Sequence, residues 1–145
     1  MRMAAELHVK IGSGKVCRSM KSILLVEDSK FLRLASERAL MRAGYSVVSI
    51  DDGEQALRAA QEQIPDLILL DMLLPKLGGP EVLCALKKDP VTAKIPVVVL
   101  SSLSQKNEAK LKKDGAAAYF EKSKLHLDTN SQALIEVVKE ALNHA

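Results

Sequence analysis

The sequence predicts an α/β protein in which five parallel strands alternate with five helices in one domain. Short, nearly uninterrupted apolar runs recur five times, and the segments between them carry apolar residues at helical spacing. Gly, Pro, Asp and Ser stand at the junctions. Strands joined through helices form a parallel sheet with right-handed crossovers. We therefore expect a three-layer, doubly wound sheet with helices on both faces.

The five predicted strands have the composition of strands that are buried on both faces of a sheet. The second contains the most polar residues, which favours an edge position. The runs are Ile23–Val26, Tyr45–Ile50, Leu67–Leu70, Val97–Leu100 and Ala116–Phe120.

The predicted helices carry apolar stripes that can cover a sheet. The clearest stripes are Leu32, Ala35, Ala39 and Ala43; Ala56, Leu57, Ala60 and Ile64; and Leu134, Ile135, Val138, Ala141 and Leu142. Ser29 can cap the first helix and Gly44 can end it, whereas Asp52-Gly53 leads into the second. Gly115 ends the fourth helix, and Asn130 or Ser131 could cap the fifth.

Size and charge narrow the class of protein. A chain of 145 residues, 48% of them hydrophobic, can bury a core without disulfides or metals. The two cysteines, Cys17 and Cys84, form no metal-site or disulfide spacing, which favours a reducing cytoplasm. No apolar run approaches the roughly 18 residues of a membrane span, and residues 1–19 lack the apolar stretch of a signal peptide.

The net charge of +3 belongs to residues 1–19, so the remaining chain is neutral. A neutral domain argues against a nucleic-acid-binding protein. We expect residues 1–19 to be an N-terminal extension, flexible or derived from an expression vector, and residues 20–145 to be the domain.

Polar residues follow four of the predicted strands: Glu27-Asp28 the first, Asp71 the third, Ser101 the fourth and Lys122 the fifth. The carboxyl ends of parallel strands meet at one edge, where such folds place their functional groups. Any one of these residues alone could be a solvated loop residue, and Asp28 could be a helix cap. Together, three acids, a hydroxyl and a lysine suit Mg²⁺ and phosphoryl transfer, with Asp71 at the rim as a nucleophile that forms an acyl phosphate.

The chain resembles the receiver domain of response regulators, the CheY-like domain of two-component signalling. The matching segments are "ILLVEDS", "LILLDMLLPKLGG", "IPVVVLSS" and "GAAAYFEKS", in the order and spacing of that family. The resemblance covers residues 21–143. It implies a flavodoxin-like sheet of strand order 2-1-3-4-5.

The resemblance also implies a phosphorylation site that depends on Mg²⁺. Asp71 would be the phosphoacceptor and one of the metal ligands. Asp28 would bind Mg²⁺ directly, Glu27 would hold a metal-bound water, and the backbone carbonyl of Leu73 would be a further ligand.

Three further residues take roles in switching by the same resemblance. Lys122 would contact the phosphoryl group, and Ser101 would turn inward to bond it. Tyr119 stands at the position of the family's switch aromatic, and it could otherwise be a core tyrosine.

The implied partners are a sensor histidine kinase or a histidine phosphotransfer protein, and an unknown downstream protein. No nucleic acid or membrane is implied. The chain would be a monomer or a weak dimer through the fourth helix, fifth strand and fifth helix. It would be a signalling phosphoacceptor that catalyses its own phosphorylation and dephosphorylation rather than an enzyme in the usual sense.

The sequence departs from the family's pattern after Lys122 and near Asp71. Ser123 replaces the usual proline, and Gly78-Gly79 replaces Asp-Gly, which predicts a looser loop. The resemblance implies that the side chains of Leu73 and Leu103 would flank the path of hydrolytic water, and both are apolar, which predicts a long-lived phosphoryl group. Residues 124–131 form a longer connection than the family's usual one.

Three alternative functions remain open. One is a receiver-like interaction module that no longer takes phosphate. Another is a phosphatase of the haloacid dehalogenase type, which would require a second Asp where Leu73 stands. A flavodoxin-like FMN protein shares the topology, but the chain has few aromatic residues.

Overall fold

The computed structural model describes residues 20–101, 112–122 and 132–143. Its strands are β1 (Ser22–Val26), β2 (Ser46–Ile50), β3 (Leu67–Asp71), β4 (Val97–Ser101) and β5 (Ala118–Glu121). Its helices are α1 (Lys30–Arg42), α2 (Gly53–Gln63), α3 (Gly79–Lys88) and α4 (Gln132–Asn143). α4 corresponds to the fifth helix predicted from the sequence.

The five strands form one parallel sheet of order β2-β1-β3-β4-β5, which confirms the predicted fold class. β3 lies at its centre, between β1 and β4, and both β3 and β4 are buried along their whole length. β2 is partly exposed at one edge, as its polar residues predicted. The chain runs from β1 outward to β2 and then crosses back to β3, so the strand order reverses between β1 and β3. Ligand sites in such sheets lie at the carboxyl ends of the strands beside this reversal.

Two apolar clusters cover the two faces of the sheet. Ala56 and Ala60 of α2 and Leu83 of α3 belong to one cluster. Leu40 of α1 and Leu134 of α4 belong to the other. Burying one leucine side chain completely contributes about 1.5–3 kcal/mol, and many of these residues are fully buried. The two layers of helices hold the carboxyl edge of the sheet in place.

The helix ends follow the local sequence. The Ser29 hydroxyl accepts a hydrogen bond from the Leu32 amide at 3.3 Å, and Asp52 accepts one from the Gln55 amide at 2.8 Å. The predicted cap Ser29 is confirmed, Asp52 caps α2 where the sequence predicted only the entry into that helix, and Gly44 follows α1 at φ +100°. No helix in the described ranges is long and apolar enough to cross a membrane.

Several predictions about element ends are wrong. Ala43 is the exposed C-cap of α1 rather than a member of its buried stripe. Ile64 does not continue the stripe of α2, because it is a left-handed C-cap at φ +45° with half of its surface exposed. The proline that follows disfavours a helical conformation at Ile64. Asp71 is the last residue of β3 rather than the first beyond it, because the next amide still bonds to the Leu100 carbonyl of β4 at 3.1 Å.

Several predictions fall on residues outside the described ranges. They concern residues 1–19, Leu103, the part of the predicted fourth helix that lies within residues 102–111, Ser123, the connection 124–131 and the caps Asn130 or Ser131.

Candidate functional site

Four strand ends bring the predicted site residues to one edge of the sheet. Glu27 follows β1, Asp71 ends β3, Ser101 ends β4 and Lys122 follows β5. The three charged side chains meet directly, although residue 27 lies far from residue 122 along the chain. The topology of the sheet therefore assembles a charged cluster of Glu27, Asp71 and Lys122.

The Lys122 ammonium lies between the two carboxylates of this cluster. Its Nζ is 3.0 Å from Glu27 Oε1, 3.1 Å from Glu27 Oε2 and 3.0 Å from Asp71 Oδ1. Glu27 and Asp71 are only 2% and 3% exposed, and the Lys122 side chain is 16% exposed. One positive charge thus faces two buried negative charges. Asp71 is covered, so the prediction that it stands accessible at the rim is wrong.

Glu27 is held on all sides. Its amide donates to the Ile50 carbonyl of β2 at 3.0 Å, and its Oε2 accepts from the Ser29 amide at 3.1 Å. Burial raises the pKa of the Glu27 carboxyl above its ordinary value, and the negative charge of Asp71 raises it further. The Ser29 amide and Lys122 oppose this rise. The carboxylate pair therefore retains repulsion that a second cation would relieve.

The two oxygens of Asp71 have different surroundings. Oδ1 accepts a hydrogen bond from the Leu73 amide at 3.2 Å and lies 3.0 Å from Lys122 Nζ. Oδ2 makes no hydrogen bond within the described residues. Both described contacts of the carboxylate thus orient it through Oδ1.

Gly79 packs against the backbone of Asp71. The Gly79 amide donates to the Met72 carbonyl at 3.1 Å, and a Cβ at position 79 would stand 2.5 Å from both the Asp71 carbonyl oxygen and the Met72 Cα. No side chain fits there without displacing that backbone. Gly79 therefore serves close approach rather than the loop freedom that its sequence predicted.

Asp28 stands apart from the charged cluster. It is exposed, and its carboxylate makes no hydrogen bond or ion pair within the described residues. No three His, Cys, Asp or Glu side chains of the described ranges form a group that could hold a metal ion. The oxygen donors present still suit a hard cation such as Mg²⁺, since two buried carboxylates share one positive charge and a third acid, Asp28, directly follows Glu27 in the chain. The metal-ligand roles of Glu27, Asp28, Asp71 and the Leu73 carbonyl stay predictions.

Ser101 and Tyr119 lie on neighbouring strands. Ser101 is 2% exposed at the end of β4. Tyr119 of β5 pairs in register with Val99, which lies two residues before Ser101 on β4. Side chains two residues apart point to the same face of a strand, and Tyr119 packs on the cluster that contains Val99. The two residues predicted to act together as a switch therefore share one face of the sheet.

Arg33 contacts the backbone of the two acidic residues after β1, and the sequence analysis did not predict this contact. Its guanidinium Nη1 lies 3.1 Å from the Glu27 carbonyl oxygen and 3.4 Å from that of Asp28. The only signal in the sequence was a basic residue five and six positions after two acids. Such spacing is common on helices, so it could not be distinguished from a solvated surface residue.

Comparison with known proteins adds to the geometry. The family model of the response regulator receiver domain matches residues 23–138. A gliding motility regulatory protein of Myxococcus xanthus is 42% identical over 146 residues, covering 92% of this chain but only 19% of that protein. The polar-differentiation response regulator DivK of Brucella anthropi is 35% identical over 127 residues, covering 86% of this chain and 98% of DivK.

Solved structures agree. The chemotaxis response regulator CheY4 of Vibrio cholerae superimposes with a TM-score of 0.76 at 27% identity, covering 85% of this chain and 99% of that one. The receiver domain of a sensor histidine kinase from Pseudomonas aeruginosa, with magnesium in its active-site cleft, superimposes with a TM-score of 0.76 at 25% identity. The match covers 86% of this chain and 99% of that one. The extent of the family match, together with these relatives, shows that the chain belongs to the response regulator receiver domain family of two-component signalling.

Proposed function

We propose that this receiver domain accepts a phosphoryl group on Asp71 from a phosphohistidine, in a reaction that depends on Mg²⁺. The observation that carries the proposal is the buried Asp71 carboxylate at the end of β3, oriented through Oδ1 by Lys122 and the Leu73 amide. The donor would be a sensor histidine kinase or a histidine phosphotransfer protein.

In the proposed transfer, Asp71 Oδ2 attacks phosphorus and the phosphorus–nitrogen bond of the phosphohistidine breaks. The imidazole nitrogen keeps the electron pair of that bond and takes up a proton. Lys122 would neutralise charge on the phosphoryl oxygens, and the position of its ammonium 3.0 Å from Asp71 Oδ1 supports this role. Mg²⁺, when bound, would supply further positive charge, and Glu27, Asp28, Asp71 and the Leu73 carbonyl are the residues we expect to hold it.

The output would follow from the new charge. Phosphorylation adds nearly two negative charges and three acceptor oxygens at the end of β3. We propose that Ser101 turns toward these oxygens and that Tyr119 moves into the space it leaves. Support comes from their placement on one face of adjacent strands. The surface around β5 would then bind a downstream protein.

The proposal is tested by incubating the full chain with acetyl phosphate, with and without Mg²⁺, and measuring its intact mass. We expect a gain of one phosphoryl group that requires Mg²⁺. Continuous hydrolysis of many phosphate monoesters would instead indicate a phosphatase. Absence of any adduct in a folded, Mg²⁺-saturated sample would contradict the proposal and favour the interaction module.

We further expect the phosphoryl group to persist, because the Leu73 side chain is apolar and 65% exposed beside Asp71 and cannot orient an attacking water. Replacing it as Leu73→Gln should speed dephosphorylation by supplying a hydrogen-bonding group. The loss of the phosphoryl adduct over time measures the rate. Val91→Gln is the matched control, since Val91 is also an exposed apolar residue, 52% exposed, away from the charged cluster. Decay of the wild-type adduct within seconds, or equal rates in all three proteins, would refute this expectation.

A further inference from the structure

The Arg33 side chain donates its described hydrogen bonds to the backbone of the two acidic residues after β1. Nη1 donates to the carbonyl oxygens of Glu27 and Asp28 at 3.1 and 3.4 Å. Within the described residues Arg33 forms no ion pair with a carboxylate. An arginine on the first turns of a helix usually faces solvent or an acidic side chain. Here it reaches back across the start of α1 to the segment that carries the acids.

The backbone of this segment decides where both carboxylates point. Glu27 is fixed independently, because its amide bonds to Ile50 and its carboxylate bonds to Ser29 and Lys122. Asp28 has no such supports, since its exposed side chain makes no hydrogen bond or ion pair within the described residues. The Arg33 guanidinium is therefore the described side-chain donor that restrains the Asp28 backbone.

Arginine suits this task better than lysine. A guanidinium holds its N–H donors in a rigid plane and so restrains the direction of the carbonyls that it bonds, whereas an ammonium is a mobile point charge. Its positive charge also lies near a cluster in which two carboxylates share a single lysine. Loss of Arg33 would remove its hydrogen bonds to the Glu27 and Asp28 carbonyls and loosen the restraint on the Asp28 backbone.

We infer that Arg33 is a positioning residue for divalent-cation binding, which acts through the main chain of residues 27 and 28. The inference rests on the proposed Mg²⁺-dependent function and assigns a residue outside the ligand set to it. Groups that hold metal ligands in place typically change metal affinity by about 10–100-fold when removed. An effect at the lower end of that range is expected here, since the restraint is indirect.

The test is isothermal titration of the full chain with Mg²⁺, for wild type, Arg33→Met, Arg33→Lys and the control Arg38→Met. Arg38 is exposed on the same helix and makes no hydrogen bond or ion pair within the described residues. We expect Arg33→Met to weaken Mg²⁺ binding about 10-fold, Arg33→Lys to recover part of the loss, and Arg38→Met to bind as wild type does. At saturating Mg²⁺, the rate of phosphorylation by acetyl phosphate should return to the wild-type value in Arg33→Met.

Circular dichroism at the titration temperature confirms that each variant is folded, and Arg33→Gln replaces Arg33→Met if the latter is not. Wild-type affinity in a folded Arg33 variant would overturn the inference and leave the proposed function intact. The inference would also be overturned if Arg33→Met and Arg38→Met lost Mg²⁺ affinity to the same extent. Failure of wild type itself to bind Mg²⁺ would overturn both.

Discussion

Asp71→Asn is expected to abolish the phosphoryl adduct formed from acetyl phosphate and Mg²⁺, because an amide oxygen is a poor nucleophile and cannot form a stable acyl phosphate. Intact mass after a long incubation measures the loss. Asp51→Asn is the matched control, since Asp51 directly follows β2 at the same edge of the sheet but is exposed. An adduct that survives in Asp71→Asn, or is lost equally in Asp51→Asn, would contradict the assignment.

The same substitution should leave the fold intact. The amide oxygen that Asp71→Asn introduces would still accept hydrogen bonds from the Leu73 amide and Lys122, while the repulsion between Asp71 and Glu27 disappears. Lys122 and Glu27 would remain as a neutral buried pair 3.0 Å apart. We therefore expect a free energy of unfolding within about 1 kcal/mol of wild type, measured by urea denaturation. The loss of phosphorylation can then be assigned to chemistry rather than to unfolding.

Lys122→Met, unlike Asp71→Asn, is expected to destabilise the fold strongly. Removing the ammonium leaves Glu27 and Asp71 as two uncompensated buried carboxylates, 2% and 3% exposed. Breaking a buried ion pair by deleting one partner costs about 3–5 kcal/mol. Urea denaturation at neutral pH measures the difference. Lys30→Met, at an exposed lysine of α1, should change stability by less than about 0.5 kcal/mol.

A double variant separates the loss of charge from the loss of packing. Lys122→Met combined with Glu27→Gln removes one of the stranded charges, so it should be more stable than the sum of the two single changes implies. If the proposed cation site exists, Mg²⁺ should also raise the stability of Lys122→Met more than that of wild type. The cation would replace the missing positive charge beside Glu27 and Asp71, and binding to the folded state stabilises that state. Wild-type stability in Lys122→Met would show that the ammonium is not what balances the pair.

The fold could be predicted from local features. Buried strands gave continuous apolar runs, and the caps Ser29 and Asp52 are short polar residues whose preference for helix starts is intrinsic. The edge position of β2 was visible in its serines. Ile64 was misassigned because an isoleucine at helical spacing normally belongs to the buried stripe, and only the following proline pointed to the helix end.

The set of site residues could be predicted, but not their distances. Strand ends placed Glu27, Asp71, Ser101 and Lys122 at one edge, because the topology of a parallel sheet requires it. That Lys122 would contact both oxygens of Glu27, and that Asp71 would be buried beneath it, depends on side-chain rotamers across β1, β3 and β5. No local pattern in the sequence encodes these contacts.

Two supporting roles could not be predicted because they act through the backbone. Gly79 is needed since a Cβ would collide with the carbonyl of Asp71, eight positions earlier, and a glycine in a Gly-Gly loop normally signals freedom instead. Arg33 bonds main-chain carbonyls, which exist at every residue and leave no mark in the sequence.

The central claim, that Asp71 at the end of β3 takes the phosphoryl group, is tested most directly by locating the modification in the wild-type chain. After treatment with acetyl phosphate and Mg²⁺, borohydride reduces an aspartyl phosphate to homoserine, and peptide mass mapping identifies the position. We predict homoserine at position 71 alone. Reduction at Glu27, Asp28 or another acid, with Asp71 unchanged, would contradict the claim.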